Sequence, residues 1–563
     1  MIVWYSLLLT ATFLSSCSAK NVPCDLRETA YGSVCVCTAE RCDYLDNPEP
    51  LLSHYFNIIS STEGGLRFAS SDGEFGSERK HIIKDDEFRF TLGAQNSTDE
   101  DFDPIALLVD EEEGASLDLA NGSLNIPAQY FTQHHASLSI DRGVEFQKIV
   151  GFGGAFTGAV SHVLQQINQT LQDQVYKSFF AKDGIAFNII RMPIGGTDFD
   201  FGPWAYNELP QDDVGLSNFT QLDARDVRKL QQLKRMKQVA QVDEIKIKAA
   251  AWSAPKWMKS NNAWNGVSHL KPDFYQTWAD YHLRFIELMD AQSFPIWAIS
   301  TGNEPTNGFL APFLSLGWTP KNQAIWLSEN LGPTIKNSIY KNVLILGNDD
   351  QRYTFPSWFH LMNHTRPGCL DYLDGLAVHW YFDNLFSPKL LQLTHDEMPG
   401  KIMLNTESCA GSELLERHKP ELGSWERAEQ YLHGYIQDLQ YSANGWIDWN
   451  IALDEQGGPN YVNNFVDAPV IVNVTNRAEI YKQPIFYAIG HFSKFIPEGS
   501  VRIEAQISTT NIKVVAFKRP DKRIAAVVFN SRRIPVDVEL NDSVRGNIVI
   551  NLPARSVHTI IYN

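Results

Sequence analysis

From Ile149 to about Pro484, short apolar runs alternate with longer segments whose apolar residues recur at helical spacing. The runs are Ile149-Val150, Phe187-Asn-Ile-Ile190, Ile245-Lys-Ile-Lys-Ala-Ala-Ala251, Ile296-Trp-Ala-Ile299, Val343-Leu-Ile-Leu346, Leu376-Ala-Val378, Ile402-Met-Leu404 and Trp446-Ile-Asp-Trp449, eight candidate strands. Between the third and fourth, Phe274, Trp278, Tyr281, Phe285 and Leu288 fall on one helical stripe. Thr319 followed by Pro320 reads as an N-cap and first helical residue, and Gly332-Pro333 as the stop. Strand and helix in alternation imply a parallel sheet, and eight repeats predict a closed (β/α)8 TIM barrel over residues 149–484, an α/β fold. After Pro484 the period changes to two, as in Val501–Ala505, Ile512–Phe517, Ile524–Phe529 and Val536–Leu540. Residues 485–563 therefore read as antiparallel strands of an accessory all-β sandwich. Segments within 20–71 and 116–148, such as Ser137-Leu-Ser-Ile140, read as further strands of that sandwich, which both termini would build.

The chain has 563 residues, 44% of them hydrophobic, which is enough for a barrel and a second domain and excludes a disordered or fibrous protein. A formal net charge of -18 disfavours nucleic acid as a partner, because phosphate binding needs an excess of Lys and Arg, and none is expected. It fits an acidic compartment, or simple solubility. Residues 72–115, with Asp99-Glu-Asp101 and Asp110-Glu-Glu-Glu113, read as a solvated acidic surface insertion, with a partner-binding patch as the alternative. Residues 1–19 read as a signal peptide: an apolar stretch to Leu14, then small residues ending at Ala19. Leu14-Ser-Ser-Cys17 is also compatible with a lipoprotein cleavage box. No later run is long and apolar enough to cross a bilayer. Cys24, Cys35, Cys37 and Cys42 read as two disulfides of an oxidising compartment, with three connectivities open and a four-thiolate zinc site as the competing reading. Seven sequons, at Asn96, Asn121, Asn168, Asn218, Asn363, Asn473 and Asn541, imply N-glycosylation of some; Asn168 also suits a helix cap.

Glu304, in Ser300-Thr-Gly-Asn-Glu-Pro305, and Glu407, in Leu404-Asn-Thr-Glu-Ser-Cys409, each follow an apolar run. Polar residues at the C-terminal ends of barrel strands project into the active-site mouth. Two carboxylates there suit glycoside hydrolysis, one protonating the leaving oxygen and the other attacking the anomeric carbon. On strands four and seven they can stand the roughly 5 to 5.5 Å apart that retention requires. Asn303 can reach the sugar 2-hydroxyl, and His379 and Tyr381 can flank the nucleophile. Trp252, Trp449 and Phe465 offer flat faces for a sugar ring, and Asp198 can accept from two hydroxyls. No metal or other cofactor is expected, since histidines and acids do not gather at ligand spacing.

Those residues, with Cys35-Val-Cys37, Gly151-Phe-Gly-Gly154, Asn188-Ile-Ile-Arg191, Gly302-Asn-Glu-Pro305, Val378-His-Trp-Tyr381, Gly457-Gly-Pro-Asn460 and Gly490–Gly499, resemble the glucosylceramidases of glycoside hydrolase family 30. The resemblance implies a lysosomal enzyme, peripheral on the lumenal membrane face, that hydrolyses glucosylceramide. By it, Glu304 is the acid/base and Glu407 the nucleophile. Asp198, Trp252, Asn303, Tyr381, Trp449 and Asn464 would line the glucose pocket, Arg191 and His379 would orient the carboxylates, and Phe313 would flank the entrance. It further implies disulfides Cys24–Cys35 and Cys37–Cys42, free Cys369 and Cys409, a saposin-type activator, an anionic lipid surface and a possible homodimer. Two positions depart from the family pattern: Gly158 and Gly302 stand where it carries acidic residues, which removes negative charge near the mouth. The competing readings are another β-glycosidase on the same scaffold, acting on soluble β-glycans or xylosides, and a non-catalytic glycolipid-binding protein.

Overall fold

The computed structural model describes residues 21–85, 116–118, 123–125, 135–309, 312–412, 416 and 419–563. Eight parallel strands close into a barrel: β1 (Gly151–Ala155), β2 (Ile189–Pro193), β3 (Lys246–Ala250), β4 (Ala298–Ser300), β5 (Leu344–Gln351), β6 (Gly375–His379), β7 (Ile402–Glu407) and β8 (Gly445–Asn450). Ala298, Leu346, Ala377 and Leu404, from the neighbouring strands β4 to β7, form an apolar cluster, with the helices packed outside. The leading run Ile149-Val150 is not the first strand; the glycine-rich segment after it is. A Cβ at Gly153 would stand 2.0 Å from the Ile189 carbonyl oxygen, so only glycine lets β1 and β2 close the ring. Ile149 is tied elsewhere, donating its N–H to Ser500 and accepting from Gly499.

The stripe of Trp278, Tyr281 and Phe285 is buried on the helix Tyr275–Ala291. Thr319 caps the helix Pro320–Trp326 through the Asn322 N–H. That helical path does not stop at Gly332-Pro333: a π-helical turn, Leu327–Leu331, leads into Gly332–Lys336. The missing side chain of Gly332 admits the Tyr372 ring, and Pro333 sits in the first turn of the new segment, where no N–H is needed.

After Pro484 the chain first forms a helix, Pro484–Ser493, with every residue buried, and only then the strands. A ten-stranded sheet interleaves N- and C-terminal strands, in the order Ala69–Glu74, Tyr55–Thr62, Ser556–Tyr562, Ile524–Asn530, Ile512–Lys518, Val501–Ile507, His135–Lys148, Val536–Asp542, Gly546–Leu552, His81–Ile82. Phe56, Leu138, Val514, Val528, Ile550 and Ile560 fill the core between its folded halves. The alternate residues Val515, Phe517, Val527, Phe529 and Val557 point the other way and merge with the barrel's outer core. Period two thus serves two interfaces at once. A second, five-stranded sheet joins Leu26–Thr29 and Gly32–Cys37 to Ile480–Lys482, Val470–Val472 and Ala452–Asp454. The disulfides Cys24–Cys35 and Cys37–Cys42 fasten it, so the four thiols are not zinc ligands. Its Val34, Val36 and Ile471 back the tryptophans of the barrel mouth. Within the proposed acidic insertion, residues 72–74 end an exposed strand and 81–82 form an edge strand. The acidic runs at 99–101 and 110–113, the sequons at Asn96 and Asn121, and residues 1–19 lie outside the described residues.

Candidate active site

The C-terminal ends of the strands converge on two buried glutamates. Glu407 ends β7, where Arg191 from β2 donates to Oε2 and the Tyr381 hydroxyl donates to Oε1 at 3.1 Å. Glu304 follows β4 with φ +43°, a left-handed conformation unusual for a residue with a side chain. Its own N–H is held by the Asp349 carbonyl, and its Oε1 accepts from Gln351 Nε2 at 2.7 Å and meets His379 Nδ1 at 2.9 Å. Asn307 donates to Oε2. A carboxylate oxygen of each glutamate and a ring nitrogen of His379 lie within 4.8 Å of one another.

The two carboxyls sit in unlike surroundings. Burial, with Glu407 adding to it and the His379 hydrogen bond opposing, pushes Glu304 up to about 7. Glu407 faces a guanidinium instead. Against the burial that would lower it, the carboxylates of Glu407, Asp349 and Glu304 hold His379 up to about 9. Three ligand-type residues meet here, yet Arg191 and a protonated imidazole already supply positive charge, so the donor set does not suit a metal cation.

Around the glutamates stand most of the other expected residues. Asn303 accepts from Arg191 through Oδ1. The Arg191 guanidinium lies 4.6 Å from the Trp252 ring centroid and 5.2 Å from that of Trp449, and the two indoles stack at 5.2 Å. Asp198 accepts from Asn460 at 2.9 Å and Asn464 at 3.2 Å, and burial raises it to about 6. Phe313 packs on the same aromatic cluster, on a loop that Tyr461 fixes by accepting the Leu314 N–H. Phe465 does not join them; its ring packs over Gly458. Cys409, buried and free, touches the Tyr381 hydroxyl at 3.2 Å, and Cys369 is buried and free elsewhere.

Five residues of the cluster escaped the sequence reading: Lys248, Asn307, Asp349, Gln351 and Asn460. Asp349 is central, because its carboxylate meets Lys248, Arg191, His379 and Thr406. Asn348 and Asp349 both have left-handed φ, 74° and 62°, where the register with β6 shifts. That bulge re-aims the side chains of β5. The signal was the run Asn348-Asp-Asp-Gln351 directly after an apolar strand, the same cue that exposed the glutamates. Of the family departures, Gly302 has φ +123°, which suits glycine. At Gly158 a Cβ would stand 1.8 Å from Asp200 Oδ1, so the carboxylate of Asp200 occupies the space that a side chain at 158 would take.

Residues 149–496 match the glycosyl hydrolase family 30 TIM-barrel domain, and residues 499–560 its beta sandwich domain. The chain is 38% identical over 433 residues to the lysosomal acid glucosylceramidase of Mus musculus, covering 76% of this chain and 83% of that one. It is 31% identical over 570 residues to the putative glucosylceramidase 4 of Caenorhabditis elegans, covering 99% and 98%. The solved structure of SrfJ from Salmonella typhimurium superimposes with a TM-score of 0.73 at 20% identity, over 90% of this chain and 99% of that one, a likeness of fold. Two domains in the family's order, around a mouth built on paired carboxylates, make the assignment plain: the chain belongs to glycosyl hydrolase family 30 and is a glycoside hydrolase.

Proposed function

We propose that this enzyme is a retaining β-glucosidase that releases glucose from glucosylceramide, with Glu304 as acid/base and Glu407 as nucleophile. One observation carries the reading: the two carboxylates approach within 4.8 Å, one raised by burial and the other faced by Arg191. Attack at the anomeric carbon and protonation of the glycosidic oxygen need that closeness and that inequality. In the first step the Glu407 oxygen bonds to the anomeric carbon as the glycosidic bond breaks, and the Glu304 proton goes to the departing oxygen. In the second, Glu304 takes a proton from water, whose oxygen displaces the ester and returns Glu407 as a carboxylate. Asp198 and Asn464 would hold sugar hydroxyls, the stacked indoles of Trp252 and Trp449 the ring's apolar edge, and the Asn303 amide the 2-hydroxyl.

A lipid aglycone fits the rim beyond Glu304. Phe382 and Leu385 are 57% and 70% exposed, and the Tyr353 ring lies against that of Phe382. Tyr353 touches both Phe386 and the Thr306 hydroxyl, two residues from the acid. An apolar rim beside a polar sugar pocket matches a glycolipid presented at an anionic membrane, with a saposin-type activator as helper. The name of the mouse relative adds the lysosome as the site of action. A proton retained on Glu304 to about pH 7 suits such a compartment. Proton NMR of early product tests the mechanism: β-glucose is expected first, and initial α-glucose would defeat double displacement. Turnover of glucosylceramide against soluble β-glycans and xylosides tests the substrate, and better glycan cleavage would replace it.

A further inference from the structure

The inner face of β3 carries a charge that the reaction, as described, does not use. Strand alternation sends Ile247 and Ala249 outward into the helix-facing core and Lys246 and Lys248 inward. Lys246 sits at the barrel's lower end, where Glu498 pairs with it. Lys248 lies one layer higher, fully buried, opposite Arg191 on β2 and Ala298 on β4. Removing an ammonium from water costs several kcal/mol unless it is paired. Its partner is Asp349, with Nζ 2.5 Å from Oδ2. Arg191 stands farther from the same oxygen, at 3.4 Å, because it is engaged with Glu407 and Asn303. The other oxygen, Oδ1, meets His379 Nε2 at 3.2 Å and accepts from Thr406 at 2.6 Å. The opposite nitrogen of that imidazole reaches Glu304. A continuous path thus runs from Lys248 through Asp349 and His379 to Glu304.

We propose that Lys248 is a positioning residue of the glycosidase: it fixes the Asp349 carboxylate that turns His379 toward Glu304, and so sets the pH range over which Glu304 keeps its proton. The proposal rests on the acid/base role given to Glu304 above. The charged groups that share this space are Arg191 from β2, Asp349 and Asp350 from β5, His379 from β6, Glu407 from β7 and Glu304 beyond β4. Burial and Arg191 pull the Lys248 ammonium down to about 7, with Asp349 opposing, so its charge is half present near that pH and nearly complete from about one unit below it. Against burial, Lys248 and Arg191 hold Asp349 well below the usual carboxylate range. Taking away the lysine charge makes the ionised forms of Glu304 and Glu407 harder to reach and the imidazolium of His379 easier to keep. Every one of those changes moves activity toward higher pH. A lysine that only filled space would, on replacement, scale the rate equally at all pH values.

The test is the pH profile of kcat/KM for the wild type, Lys248→Met and Lys248→Arg, each on an alkyl β-glucoside and on a dinitrophenyl β-glucoside. For Lys248→Met on the alkyl glucoside, the alkaline limb is expected to move up by about one pH unit, alongside a lower kcat. Lys248→Arg keeps the charge and should keep the wild-type limb, at reduced kcat. On the dinitrophenyl substrate, whose departure needs little protonation, the difference between variants should shrink. A Lys248→Met limb that superimposes on the wild type after scaling overturns the proposal. Should Lys248→Met not fold, Lys248→Gln replaces it, keeping a donor to Asp349 without the charge; an unmoved limb is again fatal. A wild type inactive on both glucosides would sink the catalytic reading itself, before any variant is compared.

Discussion

His379 at the barrel mouth and His558 in the sandwich are both fully buried, yet they depart from the ordinary imidazole value in opposite directions. Carboxylates from three strands or strand ends surround His379 and hold it up to about 9. Ser60 and Ser556 hydroxyls surround His558, which burial pushes down to about 3. His491, between Thr559 and Ser61, follows His558 and holds the helix Pro484–Ser493 to the sheet. Burial alone therefore does not decide protonation; the partners do. The consequence for stability has opposite signs. The raised His379 adds stability that is complete below the unfolded value near 6.5 and is lost as pH rises through about 9. The depressed His558 adds stability above about 6.5 that is lost as pH falls toward 3. Acid tightens the mouth and loosens the joint.

The sharpest break between the regions comes from Glu407→Gln. Turnover should fall by about 10⁴-fold or more while the unfolding midpoint in urea stays near that of the wild type. Residual activity of a tenth would remove Glu407 from its role. Next, Glu304→Gln should cost about 10²- to 10⁴-fold on a poor leaving group and far less on dinitrophenyl glucoside, with azide restoring part of the rate. Equal losses on both substrates would mean that the residue is not the proton donor. The joint is expected to show itself in folding rather than rate. Between pH 7 and 5 the neutral His558 should cost the folded state about 2 kcal/mol, and His558→Gln should flatten that slope without shifting the pH profile of catalysis. Glycan mapping gives the mildest contrast. Asn168, Asn218 and Asn363 on the barrel are exposed, Asn218 with surface hydrogen bonds to Asp213 and Ser217, whereas Asn541 is half-buried within the strand Val536–Asp542 and donates to Ser137 and Glu539. Asn473 is similarly tied, to Tyr481 and Asn476. Mass spectrometry should find carbohydrate at the first three and none at Asn541.

The barrel was legible because its strands are buried on both faces and read as apolar runs, and because helices between them repeat a stripe. The first strand was displaced by two residues, since close approach to Ile189 demanded glycine rather than an apolar run. Glu304 and Glu407 stood out as a pair: one glutamate after an apolar run reads as a surface or salt-bridge residue, but two, in Asn-Glu-Pro and Thr-Glu-Ser settings, read as catalytic carboxylates. Lys248 was hidden for the converse reason. Alternation in Ile245-Lys-Ile-Lys248 looks like a strand with one wet face, and nothing in one sequence tells that the inner face is a sealed charge network. Asp349 and Gln351 depend on a backbone bulge in β5, Asn307 on the short helical turn Pro305–Phe309 and Asn460 on a loop, whose geometry local residue patterns leave open. The helix past Gly332-Pro333 shows the same limit, because a distant tyrosine supplies the reason for the glycine.

The crowding between positions 158 and 200 constrains the order in which this pocket can change. An aspartate introduced at 158 alone collides with the carboxylate of Asp200 before it can contribute any negative potential. Shrinking residue 200 first removes the two nearest atoms, and an acid at 158 then has only the Phe199 carbonyl oxygen, at 3.2 Å, to accommodate. The two sites form an epistatic pair, in which a single exchange is penalised and the paired exchange relocates one acidic group along the chain.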